Sequence, residues 1–161
     1  MHVPELSHLD AAGHARMVNV ADREVTTRTA VAVGSVHTSV VELIADGGIP
    51  KGDVLAVARI AGIMGAKRTP ELIPMCHPIA VHAVAVDVAC DQSQGLVAIT
   101  ATVTTADRTG VEMEALTAVA VAGLTIIDMV KAIDPGATIT DVSVAVKGGG
   151  VRGEWRRESR E

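Results

Sequence analysis

Between Thr26 and His37 the sequence TTRTAVAVGSVH alternates small apolar and polar positions with the two-residue period of a strand. Thr38 or Ser39 is placed to cap a short helix reaching about Ala45, which Asp46-Gly47-Gly48 stops, and the turn Ile49-Pro50-Lys51-Gly52 follows. Asp53 is placed to cap the next helix, DVLAVARIAGIMGAKR, whose Val54, Val57, Ile60 and Ile63 or Met64 form one apolar stripe. Thr69-Pro70 ends that helix, because the residue before a proline is pushed out of the helical region. A proline-rich connection, TPELIPMCHP, leads into two alternating runs, IAVHAVAVDVAC and LVAITATVTTAD, separated by the polar turn DQSQG: a β-hairpin, with His82 in its first strand. A long Ala-rich helix from about Met113 to Ala132, a break at Asp134-Pro135-Gly136 and a last strand, TITDVSVAVKG, complete the pattern.

The order is thus strand, two helices, strand, strand, helix, strand. With the first two helices acting as one crossover, this is the βαββαβ pattern of an α+β ferredoxin-like sandwich carrying an extra helix. Its antiparallel sheet would be covered by helices on one face. The other face carries little bulk or charge, which predicts self-association. Residues 1–25 lack sustained periodicity and read as a partly ordered arm, 26–147 as one domain, and 148–161 as a flexible tail.

The long helix is the most informative element. From Ala115 to Ile127, ALTAVAVAGLTII carries no charge; Glu112 and Glu114 open the segment, and Asp128 and Lys131 close it. Charge set against apolar surface costs several kcal/mol in effective desolvation unless it is paired or used, on the order of the penalty for a buried ion. Asp128 and Lys131 share a face. Glu114 and Asp128 are fourteen positions apart (128 − 114), about 21 Å at the helical rise. One compact site cannot receive both ends of one straight helix, so either one chain has two sites or two chains share one. Simple complementation of the helix dipole remains the alternative.

Composition narrows the partners. The chain has 161 residues, 48% of them hydrophobic, with no Phe, no Tyr and one Trp, so small aliphatic side chains must fill the core. The lack of aromatics removes the usual stacking platform for single-stranded nucleic acid. The net charge of −5 argues the same way, and any anionic ligand must be met by cations gathered locally. Cys76 and Cys90 do not make a disulfide framework, the N-terminus lacks the layout of a secretory signal, and no uncharged apolar run approaches the ~20 residues of a membrane span. The cytoplasm is the expected compartment.

Several residues are candidates for chemistry. Lys51 sits in a glycine-bounded turn before a helix N-terminus, a setting that suits an anion, although a solvated turn lysine looks the same. Lys67-Arg68 either clamp phosphate or offset the dipole at a helix end. Cys76-His77-Pro78 holds a thiol and an imidazole in a loop stiffened by Pro74 and Pro78; adjacent Cys and His without a second ligand pair do not make a zinc site, so no metal is expected. His77 reads as a hydrogen-bonding or proton-handling residue. His2, His8, His14 and His37 read as structural or solvent-facing, and Arg108 as an ordinary salt-bridge partner for Glu112 and Glu114. Asp128 and Lys131 can either shuttle protons or form a plain i,i+3 ion pair.

Taken together, LSHLDAAGHARMVNV, Thr27-Arg28-Thr29-Ala30, PKGDVLAVARIAGIMGAKRT, ELIPMCHP, RTGVEMEALTAVAVAGLTIIDMVKA and KGGGVRGEW resemble the MoaC family, the cyclic pyranopterin monophosphate synthases of molybdenum cofactor biosynthesis. The resemblance runs over nearly the whole chain. It implies a lyase that acts on 3′,8-cyclo-7,8-dihydro-GTP and releases pyrophosphate, with no resident cofactor, Mg²⁺ with the triphosphate not being evident from the sequence. It places substrate contacts on Met75, Cys76, His77, Met113 and Glu114 with Glu112 beside them, the acid-base residue on Asp128, and the catalytic lysines on Lys131 and Lys51. Arg28, Lys67 and Lys147 are further candidates for phosphate contacts. It also implies a hexamer, a trimer of dimers with sites between subunits. Asn19, Arg23, Met75, Ile127 and Val151-Arg152 depart from the family's common pattern. A non-catalytic nucleotide sensor on the same fold is the alternative.

Overall fold

The computed structural model describes residues 9, 12–150 and 153–158. Its elements run β1 (Thr26–His37), α1 (Val41–Ala45), α2 (Val54–Lys67), α3 (Thr69–Leu72), β2 (Ala83–Asp91), β3 (Leu96–Asp107), α4 (Glu112–Val130), β4 (Thr138–Gly148) and β5 (Trp155–Arg156). The strands form one five-stranded sheet in the order β2-β3-β1-β4-β5. Every pairing is antiparallel. With β1 and β3 central and α2 and α4 on one face, this is the ferredoxin-like sandwich.

The period-two pattern decides which residues face the helices. Ala30, Ala32 and Val36 of β1 and Val97, Ile99, Ala101 and Val103 of β3 are buried under the helices. Their alternates, among them Val31, Val33, Thr100 and Thr102, line the open face. Helix α4 supplies the rest of the core through Ala115, Ala118, Val119, Ala122 and Ile126, all fully buried. Its length and apolar composition would suffice to cross a bilayer, but most of that surface packs on the sheet and on α2.

Helix α2 corrects the expected stripe. The side chains turned inward are Val54, Ala58, Gly62, Gly65 and Ala66, whereas Val57, Ile60 and Met64 are 43%, 59% and 49% exposed. Close approach is the reason. A Cβ on Gly62 would lie 3.0 Å from the Ala118 carbonyl oxygen, and one on Gly65 would lie 2.9 Å from Val121 Cβ. Only residues without bulk fit between the two helices, so the larger apolar side chains are displaced outward.

The ends of several elements also differ from expectation. The cap of α1 is Val40 with no side-chain bond; the Thr38 hydroxyl lies before it, accepting the Val40 N–H at 3.4 Å and donating to Asp134 Oδ2 at 2.7 Å. Asp53 caps α2 as expected, accepting the Ala56 N–H at 2.9 Å. Helix α2 ends at Lys67, just before Thr69-Pro70 as expected, but the chain then opens the one-turn α3, since proline is tolerated in a first helical turn. Strand β2 starts at Ala83, which leaves His82 outside it. Residues 79–82 are instead clipped to the end of β3 by the Thr105 hydroxyl, donating to the Ala80 carbonyl at 2.6 Å, and by the Ala106 N–H, donating to His82 Nδ1 at 3.3 Å. Helix α4 stops at Val130, two residues before Ala132, with Lys131 as its cap. The short β5, unexpected from the sequence, pairs Trp155 and Arg156 with Lys147 and Val146. His2, His8 and Val151-Arg152 lie outside the described residues.

Replacing Gly65 with valine forces a branched side chain into the α2–α4 contact. The expected loss is about 1–3 kcal/mol of stability, the usual cost of overpacking, read as a lower urea midpoint at unchanged m-value.

Candidate active site

Asp128 stands in the last turn of α4, where the helix dipole alone disfavours an acid. Two ammonium groups offset this. Lys131 Nζ lies 2.7 Å from Asp128 Oδ1 and Lys51 Nζ 3.1 Å from Oδ2. Lys51 also donates to the main-chain carbonyl of Asp128, so it caps the helix end as well. Local structure accounts for both lysines. Lys131 is the cap residue of α4; Lys51 is presented by a turn closed by Gly52 N–H to the Ile49 carbonyl, with Gly52 at φ +107°. Because α2 begins directly after this turn, Lys51 arrives beside the end of α4.

Hydrogen bonding from Lys131, then from Lys51, holds the Asp128 carboxyl below the ordinary aspartate range. The cluster carries two cations for one anion and is open to solvent, its side chains being 43–59% exposed. It can keep a carboxylate ionised as a base, offer protons from ammonium groups, and attract an anion.

The other end of α4 is different. Glu114 is fully buried; its Oε1 lies 3.5 Å from Cys76 Sγ, and its Oε2 has no hydrogen-bond partner among the described residues. Burial raises the Glu114 carboxyl above the ordinary range. Burial, reinforced by the adjacent Glu114 charge, pushes the Cys76 thiol up to about 11, so it stays protonated at neutral pH. His77 follows in the same loop, its Nε2 2.8 Å from the Val18 carbonyl. A carbonyl only accepts, so Nε2 carries the proton of this bond. Val18 and Ala21, whose carbonyl takes a bond from Arg108, bring the chain before β1 across this end. Met75 precedes Cys76, and Met113, 37% exposed, lies beside Glu114 in sequence.

Next to this end opens a cleft of about 1010 Å³, at the top of the size range of small-molecule pockets. Asp22, Arg23, Glu24, Arg28, Thr109, Glu112, Lys147 and Gly148 to Gly150 line it. Lys147 Nζ pairs with Glu112 Oε1 at 3.0 Å, and Arg28 Nε donates to the Asp107 carbonyl at 3.0 Å. Gly149 and Gly150 have φ of +90° and +72°, and a Cβ on Gly150 would lie 2.5 Å from Arg28 Nη1. Gly150 therefore lies directly against the guanidinium, and Gly149 against the Thr27–Arg28 backbone.

The expected site residues thus fall into separate groups. Lys51, Asp128 and Lys131 meet; Cys76 and Glu114 meet, with Met75, His77 and Met113 adjoining; Arg28, Glu112 and Lys147 share the cleft. Lys67 is exposed at the end of α2 and is not among the cleft-lining residues. The two ends of α4 stay about 21 Å apart within one chain. Among the described residues no three His, Cys, Asp or Glu side chains converge as metal ligands. Sequence reasoning missed Asp22, Arg23 and Glu24, which lack any local pattern. It also assigned Gly148 to Gly150 to the flexible tail, although a glycine run after a strand is a signal for positive φ.

Asp128 is expected to titrate below the free aspartate value of about 3.9 in a carboxyl-carbon NMR titration. Lys131→Ala should raise the midpoint more than Lys51→Ala, following the order of the two bonds. Because the folded value is depressed, the stabilisation this group contributes is present above the unfolded value and lost as pH falls through the folded one.

Residues 17–150 match the MoaC family. The chain is 61% identical to the cyclic pyranopterin monophosphate synthase of Streptomyces coelicolor, covering 94% of this chain and 89% of the relative. It is 58% identical to cyclic pyranopterin monophosphate synthase 2 of Mycobacterium bovis, covering 95% and 92%. A further synthase of that name, from Thermomicrobium roseum, is 55% identical over 98% of this chain and 96% of its own length. A match of this extent makes the chain a member of the MoaC family.

Proposed function

We propose that the protein is a lyase of molybdenum cofactor biosynthesis that converts 3′,8-cyclo-7,8-dihydro-GTP to cyclic pyranopterin monophosphate and pyrophosphate. The observation that carries this reading is the Asp128 carboxylate held between Lys51 and Lys131. Opening and rebuilding a purine-derived ring needs repeated proton transfers, and this cluster supplies a base and two proton donors in contact. Relatives 55–61% identical bear the name of this synthase. The substrate's triphosphate needs local cations in a chain of net charge −5; Arg28 and Lys147 supply them in the cleft. The chemistry is acid-base and calls on no resident cofactor, and a Mg²⁺ ion on the triphosphate would arrive with the substrate.

The active assembly is a hexamer, a trimer of dimers in the cytoplasm, with no membrane or nucleic acid involved. One subunit's Asp128 cluster meets another's Met75–His77 loop. The length of α4 supports this, as do the outward Val57, Ile60, Met64 and Leu124, four large apolar side chains on the helix layer that are each more than 40% exposed.

Incubation with the cyclic GTP derivative should release pyrophosphate in step with pterin product. Lys131→Ala should lower turnover by about 10²–10⁴-fold, the usual worth of a general acid or base, with much less change in ligand affinity. Ligand binding by the wild-type chain without pyrophosphate release would instead identify a nucleotide sensor. Oligomers mixed from Asp128→Asn and His77→Ala chains should regain part of the activity that each variant lacks. No recovery in verified mixed oligomers would rule out shared sites.

A further inference from the structure

Asp134 belongs to none of the groups above, yet it is among the most fully engaged side chains in the molecule. Its Oδ2 accepts from the Thr38 hydroxyl at 2.7 Å and from the Ser39 N–H at 2.8 Å, and its Oδ1 accepts the Gly136 N–H at 3.0 Å. These bonds hold its carboxyl below the ordinary range. The residue stands three positions past Lys131 and six past Asp128, in a turn that stays wound onto α4: the Asp134 N–H reaches the Val130 carbonyl at 2.9 Å. Thr38 is buried, and its N–H is fixed to the Gly95 carbonyl at 3.1 Å. From Ser39 the chain passes through α1, anchored in the core by Val41, Ile44 and Ile49, and reaches Lys51.

The same two segments, 38–51 and 128–134, are therefore joined twice. One joint is the Lys51–Asp128 pair, which is open to water at 43% and 59% exposure. An exposed pair of this kind does not by itself fix a long lysine side chain, because it must order that chain against solvent competition. The other joint is Asp134, which bonds to backbone as well as to a buried hydroxyl, and so fixes where the segments lie. We propose that Asp134 is a positioning residue for the acid-base cluster: by binding Thr38 and Ser39 it holds the segment bearing Lys51 against the helix end bearing Asp128 and Lys131.

The catalytic half of this inference rests on the function proposed above, and the test separates the two. Acetylation rates of individual lysines, followed by mass spectrometry on the free protein at neutral pH, report how firmly Lys51 is held, with exposed Lys67 as internal standard. Asp134→Ala should speed Lys51 acetylation at least threefold relative to Lys67 and lower kcat at least tenfold with KM changed less than threefold. Asp134→Asn, which keeps one acceptor oxygen, should fall between wild type and alanine. Thr38→Val, removing one donor, should give a smaller effect of the same kind. Should Asp134→Ala not fold, the asparagine and valine variants carry the same comparison. A lower melting temperature with the Lys51-to-Lys67 ratio and kcat both unchanged would overturn the inference, leaving Asp134 a structural tie only. If the wild-type chain shows no turnover, the function proposal fails while the acetylation ratio still judges the clasp.

Discussion

The close approach of α2 to α4 is the constraint from which the rest of the structure follows. Gly62 and Gly65 bring one backbone against the other, with the Ala118 carbonyl 3.0 Å from where a Gly62 Cβ would stand. At this separation α4 is enclosed along its middle by α2 and the sheet, and its charges are confined to its ends. The turn that precedes the Asp53 cap of α2 then delivers Lys51 to Asp128. The packing of alanine and glycine in the helix layer and the chemistry at the helix end are two consequences of one geometry.

That geometry was only partly legible in the sequence. The strands were, because β1 and β3 alternate small apolar and polar residues and each inward position is buried. The helical stripe was not, because hydrophobic periodicity ranks Val57, Ile60 and Met64 above Ala58, Gly62 and Gly65, whereas interhelical distance rewards the absence of a side chain. Strand β2 was read as starting four residues too early for a related reason: Ile79 to His82 have strand-like composition, but Thr105 and His82 tie them down sideways. Thr38 looked like a helix cap in a local reading; its partner, Asp134, is 96 residues away.

The candidate site divides the same way. Each charged residue flanking α4 was visible as an exception in an apolar run, and its spacing along a rigid helix fixed the separation of the two ends before any fold was known. Environment was not visible. Asp128 and Glu114 are both carboxylates on one helix, yet lysines push the first toward ionisation and burial pushes the second away from it. The first shift comes from Lys131 in the adjoining turn and from Lys51 across 77 positions, the second from burial, and neither Lys51 nor that burial is recorded by any local pattern.

The opposition itself bears on how the ends of α4 can work together. A carboxylate kept ionised among ammonium groups suits a charged substrate, with the ammonium groups as proton donors, while a protonated thiol and a buried carboxyl suit an uncharged ring edge. Placing both environments at one point of a single small domain would let each cancel the other, since the lysines would draw the buried carboxyl into ionisation. A rigid apolar helix of 19 residues keeps them apart within the chain. In the shared site proposed above, association would bring the Asp128 end of one helix to the Cys76–Glu114 end of another, with each environment already set by its own chain.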